Sequence, residues 1–147
     1  MRLVVLDRNI LVSAGIKPGS IPAKIVMDWA LEGQIQVVTS PWIVREYREV
    51  VRRAKFRRYG FPPQWMEFMI EESLQLPDPA PWPHLRPDPK DVPFLALAHS
   101  AGAWLVTGNL KPFPESGRAG VVVLSPNDYL ADLVGELLRP PPSLDEI

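Results

Sequence analysis

Three acids stand where chemistry would need them. Asp7 closes the apolar run Leu3-Val4-Val5-Leu6, Glu46 lies one to two turns into a helix expected after a second apolar run, and Asp91 directly precedes a third. Carboxylates brought together with no lysine between them repel strongly, and a divalent cation is one remedy. The chain has no cysteine and two histidines, His84 and His99, which excludes a thiolate site and is too few for a structural zinc site. An all-oxygen site suits Mg2+ or Mn2+.

Each acid also has a plainer role. Asp7 could close a turn, Glu46 could pair with Arg45, Arg48 or Arg52, and Asp91 could cap a helix. Asn109, after Gly108, could be a turn residue.

The elements that must position these residues alternate. Helices are expected from Ile21 to Glu32, from Pro41 to about Arg58, from Pro62-Pro63 to about Leu74, from Val92 to Ala101 and from Pro126 to about Leu138, with Gly33 and Gly102 as stops. Strands are expected near 2–6, 35–39, 103–107 and 120–124. Four strands separated by helices predict an α/β fold with a parallel sheet covered on both faces. Right-handed crossovers then put every carboxyl end on one edge, so Asp7, Thr107-Gly108-Asn109 and the starts of the helices at Pro41 and Asp91 share it.

Composition sets bounds. The 147 residues are 46% hydrophobic and 22% charged, which predicts one domain over 1–139 with a sizeable core. The first apolar run is too short for a signal or a membrane span, so a soluble cytoplasmic protein with no membrane partner is expected. Seven of the 18 prolines fall between Pro77 and Pro93 and must form a stiff extended connection. Pro140-Pro141-Pro142 opens a tail, 140–147, expected to be flexible.

Net charge is −1, yet Arg45, Arg48, Arg52, Arg53, Lys55, Arg57 and Arg58 face only Glu46 and Glu49 within their segment, leaving it about +5. That is a solvated helix face or a track for a nucleic-acid backbone. Tyr47, Phe56 and Tyr59 could stack on unpaired bases or pack in the core.

Four motifs in order resemble the PIN-domain ribonucleases, in particular the VapC-like toxins of toxin-antitoxin pairs. They are Val5-Leu6-Asp7-Arg8-Asn9-Ile10, Ser40-Pro41 through Arg45-Glu46-Tyr47, Asp88-Pro89-Lys90-Asp91-Val92 through Ala98, and Leu105-Val106-Thr107-Gly108-Asn109. The resemblance implies a three-layer PIN fold with a sheet of about four strands. It implies a metal-dependent endoribonuclease that cleaves single-stranded RNA with metal-activated water, silenced by an antitoxin peptide or protein and forming a homodimer or higher homo-oligomer. Asp7, Glu46 and Asp91 would be the catalytic metal ligands, with Asp88 as an auxiliary. Asn9 would brace Asp7, and Thr107 and Asn109 would complete the surrounding shell. The chain departs from the family's usual pattern at Arg8, where Thr or Ser is usual, and at Asn109, where many members have Asp. Arg8 would either oppose a cation or bind a substrate phosphate. The other reading is a PIN-like RNA- or protein-binding module that lost its chemistry through these two changes. A magnesium-dependent phosphatase would need an Asp-x-Asp pair after the first strand, which is absent.

Overall fold

Leu3–Leu6 is apolar throughout and becomes the middle strand of a sheet, where Val4, Val5 and Leu6 are wholly buried. A continuous apolar run of this kind is what a parallel strand covered on both faces requires. In the computed structural model, which describes residues 2–83 and 88–138, five parallel strands lie in the order β3-β2-β1-β4-β5. They are β1 (Leu3–Leu6), β2 (Gln36–Thr39), β3 (Leu74–Gln75), β4 (Trp104–Val106) and β5 (Val123–Leu124). Val4 is in register with Val37 on one side and Trp104 on the other, and Leu6 with Val106.

The flanking helices are α1 (Arg8–Ile16), α2 (Ile21–Lys24, running on into a π-helical stretch Ile25–Ala30), α3 (Pro41–Val50), α4 (Trp65–Glu72), α5 (Val92–Ala101) and α6 (Pro126–Leu138). Local chemistry explains their ends. The Ser20 side chain caps α2 by accepting from Ala23 N–H at 3.3 Å, and Pro41 sits in the first turn of α3. Gly102 ends α5 with φ +64°, a conformation open to glycine. The start of α3 is also held from outside, since Trp42 N–H donates to Asp78 Oδ1 at 3.0 Å. The proline-rich segment therefore fixes the helix that carries Glu46.

Three expectations need correction. The sheet has five strands, not four: Ser73 turns extended (φ −72°, ψ 157°), and Leu74 and Gln75 pair with Val38 and Thr39. A two-residue strand has no periodicity of its own, so the apolar pattern reads on as helix. The helix from Pro41 stops at Val50, not Arg58. Adjacent Val50 and Val51 are both buried, Arg53 is extended (φ −62°, ψ 137°), and a separate 3-10 turn covers Ala54–Tyr59. Repulsion along Arg45, Arg48 and Arg52, three and four residues apart, would also disfavour a longer helix. The helix after Pro62-Pro63 begins at Trp65 and ends at Glu72. The tail 140–147 and His84 lie outside the described residues. No single helix among the described residues is long and apolar enough to cross a membrane.

Candidate functional site

Because the strands are parallel, β1 and β4 deliver Asp7 and Thr107 side by side at the carboxyl edge. Asp7 N–H donates to the Val106 carbonyl at 2.9 Å, which pins the backbone of the acid. Asp7 is 3% exposed. Oδ1 accepts from Arg8 N–H at 2.7 Å, so Asp7 caps α1 as the chain leaves the strand. Oδ2 accepts from the Thr107 hydroxyl at 2.8 Å and, more weakly, from Asn9 Nδ2 at 3.5 Å. Desolvation by burial raises the Asp7 pKa above its ordinary value; the Thr107 hydrogen bond and the Arg8 charge pull the other way, and Asp91 adds to the rise.

Asn9 and Thr107 both contact the Asp7 carboxylate. Asn9 also accepts from Gly108 N–H at 2.9 Å. Asn109 reaches the cluster only through its backbone, which contacts Thr107 Oγ1 at 3.1 and 3.2 Å. Its side chain is turned to Lys111 N–H, the turn role its type also allowed.

Glu46 and Asp91 arrive from α3 and from the start of α5. Asp91 holds the N-cap position of α5 but makes no capping hydrogen bond with its side chain. The carboxylate is instead taken by Arg8, whose Nη1 lies 3.3 Å from Asp91 Oδ1. Arg8 Nε lies 2.8 Å from Glu46 Oε1. That approach is off the N–H direction, so it is an ion pair and leaves Nε without an aligned acceptor among the described residues. Arg8 Nη2 donates to the Lys90 carbonyl at 2.5 Å, and the guanidinium carbon sits 4.9 Å from the centre of the Phe94 ring. Asp88 is exposed, and its Oδ1 accepts from Lys90 N–H at 2.9 Å within the turn leading to α5.

Two residues order this edge through contacts that the sequence does not mark. Tyr47 is fully buried and donates its hydroxyl to the Leu6 carbonyl, tying the residue after Glu46 to the residue before Asp7. Burial and the Asp7 charge push the phenol well above its ordinary pKa, so it stays a donor. A buried tyrosine is therefore not available to stack on a base. Phe56, the second aromatic of that group, packs on Phe61 with ring centres 5.4 Å apart, while Tyr59 is exposed. Phe94 is the other missed residue; apolar periodicity marks it as core and nothing in sequence marks it as a seat for a cation.

The acids do not fit a divalent cation as arranged. The donors are the hard oxygens such an ion takes, but a guanidinium stands between two of them. Among the described residues no three His, Cys, Asp or Glu side chains are grouped so as to hold one metal ion.

The basic residues divide into two sets. Arg45, Arg48, Arg52 and Arg53 line a shallow groove of about 460 Å³ with Glu49. Arg48 is held by Glu67 at 2.9 and 2.8 Å and Arg53 by Glu49 at 3.3 Å. At roughly 100° per residue Arg45 and Arg48 point about a third to a half of a turn away from Glu46 around α3, and Arg52 and Arg53 lie past its end at Val50. Lys55, Arg57 and Arg58 are exposed on the 3-10 turn.

Comparison with known proteins agrees with this architecture. No curated protein matches the chain in sequence. Its fold is similar to that in VapBC2 from Rickettsia felis bound to a DNA fragment from their promoter, at 14% identity and a TM-score of 0.58, over 84% of this chain and 98% of that one. It is also similar to FitAB bound to an IR36 DNA fragment, at 19% identity and a TM-score of 0.52, over 84% and 94%. The sequence matches the PIN domain over residues 3–111, and with the parallel sheet and the acids at its carboxyl edge, the chain belongs to the PIN domain family, whose members are in general nucleases.

Proposed function

We propose that this chain is an endoribonuclease that cleaves single-stranded RNA and serves as the toxin of a toxin-antitoxin pair. The observation that carries the reading is that Asp7, Glu46 and Asp91, from three separate elements, all border Arg8 at the carboxyl edge of a PIN fold. Two of the three are held there at a cost. Asp91 forgoes capping its own helix, and Asp7 accepts the cost of burying a carboxylate. Such an expense at a sheet's carboxyl edge is characteristic of a working site. Dependence on Mg2+ or Mn2+ belongs to the same reading, with Asp88 as an auxiliary ligand, and it requires Arg8 to give way. The exposed cations of α3 and the 3-10 turn support a polyanionic substrate. An antitoxin peptide or protein as partner is supported by the likeness to VapBC2 and FitAB, and a homodimer or higher homo-oligomer is the assembly expected with it.

The second reading, a PIN-like RNA- or protein-binding module without catalysis, is favoured by the Arg8 ion pairs. Cleavage of a labelled single-stranded RNA in manganese separates the two. Asp7→Asn should lower cleavage by about a hundredfold or more, the scale on which removal of one charge-stabilising group is felt, while leaving RNA binding and circular dichroism unchanged. Full cleavage by Asp7→Asn, or by the wild type in chelator, refutes the metal-dependent enzyme. Binding without cleavage by the wild type selects the module.

A further inference from the structure

The Arg8 side chain occupies the position that a cation among these acids would need. Its guanidinium spans two carboxylates instead of forking onto one, with Nε 2.8 Å from Glu46 and Nη1 3.3 Å from Asp91. The three side chains are 19%, 20% and 16% exposed, so their attraction is only partly screened by solvent. The Lys90 carbonyl and the face of Phe94 complete a seat for the positive group. Arg8 is also backbone-adjacent to the third acid, Asp7, whose carboxylate accepts the Arg8 amide. The charges that would otherwise repel are therefore already offset by a group that belongs to the fold.

We infer that Arg8 is the resident counter-cation of this site: it balances Glu46 and Asp91 without a metal, and a divalent ion must displace it in order to bind. The inference rests on Asp7, Glu46 and Asp91 being the acids of the site. Two consequences distinguish it from Arg8 as a phosphate-binding residue. The folded protein has no need of a metal for stability, and metal affinity is set by how readily Arg8 leaves. The unaligned Nε favours departure, since the guanidinium forgoes a hydrogen bond there in exchange for proximity to Glu46. Its long side chain can carry the charge out into water.

The test is calorimetric titration of manganese into the wild type, Arg8→Thr and Arg8→Lys, with melting curves in manganese and in chelator. Arg8→Thr should bind manganese about tenfold or more tightly than the wild type, the worth of breaking two partly buried ion pairs. It should melt lower than the wild type in chelator and regain stability in manganese, while the wild-type melting temperature barely moves. Arg8→Lys keeps a cation in place and should bind the metal as weakly as the wild type. If Arg8→Thr does not fold in chelator, Arg8→Gln, which is neutral but keeps the first two methylenes and a polar end, carries the same expectation. Equal or weaker manganese binding in the folded neutral variant overturns the inference. RNA cleavage by the same samples is scored separately. Tight metal binding by Arg8→Thr with no cleavage by any variant would sink the nuclease and leave the counter-cation standing. Efficient cleavage by the wild type with metal affinity indifferent to Arg8 would do the reverse.

Discussion

Tyr47→Phe tests whether the two halves of the site are locked by one hydrogen bond. The substitution keeps the ring and its contact with Phe94, centres 6.3 Å apart and tilted by 35°, and deletes only the hydroxyl that donates to the Leu6 carbonyl. Tyr47 is 0% exposed, so water does not replace the lost donor without opening the core. A buried acceptor deprived of its partner costs about 1–3 kcal/mol. In a domain of this size each kcal/mol lowers the melting temperature by about 2–4 °C, so the expected fall is about 2–12 °C. Urea unfolding followed by tryptophan fluorescence should show the midpoint shifting at constant m-value, because the unfolded surface is unchanged. The bond links the end of β1 to α3, so RNA cleavage should fall at temperatures where the variant is fully folded, as Glu46 loses its fixed relation to Asp7. A loss of stability below about 0.5 kcal/mol would refute the reasoning and place the lock elsewhere.

Other perturbations probe the remaining terms. Replacing Arg52, Arg53, Arg57 and Arg58 with Gln should reduce the slope of log affinity against log salt for single-stranded RNA by up to about 3, at roughly 0.7 per contact; an unchanged slope would mean a merely solvated face. The Asp7 pKa is raised in the folded state, so its ionised form costs stability above that pKa, and the cost is relieved as pH falls toward the ordinary value of 3.8. Asp7→Asn should therefore melt no lower than the wild type at neutral pH, its advantage shrinking as pH falls through the raised pKa; a lower melting temperature for Asp7→Asn at pH 7 contradicts this. Gly15→Ala would put a Cβ 2.5 Å from the Phe61 ring, so the ring must move, at a cost of about 1–3 kcal/mol by thermal melting; no change would show that Phe61 yields freely.

How much of this was legible depends on whether a feature is local. Asp7 at the end of β1, Pro41 opening α3 and Gly102 closing α5 are written in adjacent residues, and they suffice to bring the acids to one edge. The end of α3 was not legible, because it is set by the joint burial of Val50 and Val51 and not by any helix breaker. β3 was invisible for a similar reason: two residues join the sheet because β2 offers an open edge. Asp91 as a cap and Asp91 as a partner of Arg8 look identical along the chain, and only the distance across to α1 distinguishes them. The polarity of Asn109 was legible, but the direction its amide faces was not.

The pairing of β1 with β4 also dictates when the site can exist. Thr107 is made 100 residues after Asp7, yet its hydroxyl is the shortest side-chain contact to that acid, and Val106 supplies the acceptor for its amide. At ribosomal speeds of about 5–20 residues per second, the nascent chain carries Val4, Val5 and Leu6 for about 5–20 seconds before one flank of that strand can close. During this interval the growing polypeptide has an apolar edge that invites misassembly. A polypeptide still short of β4 thus lacks the Thr107 and Val106 contacts that fix Asp7, and the order of the strands makes that acid the last to be secured.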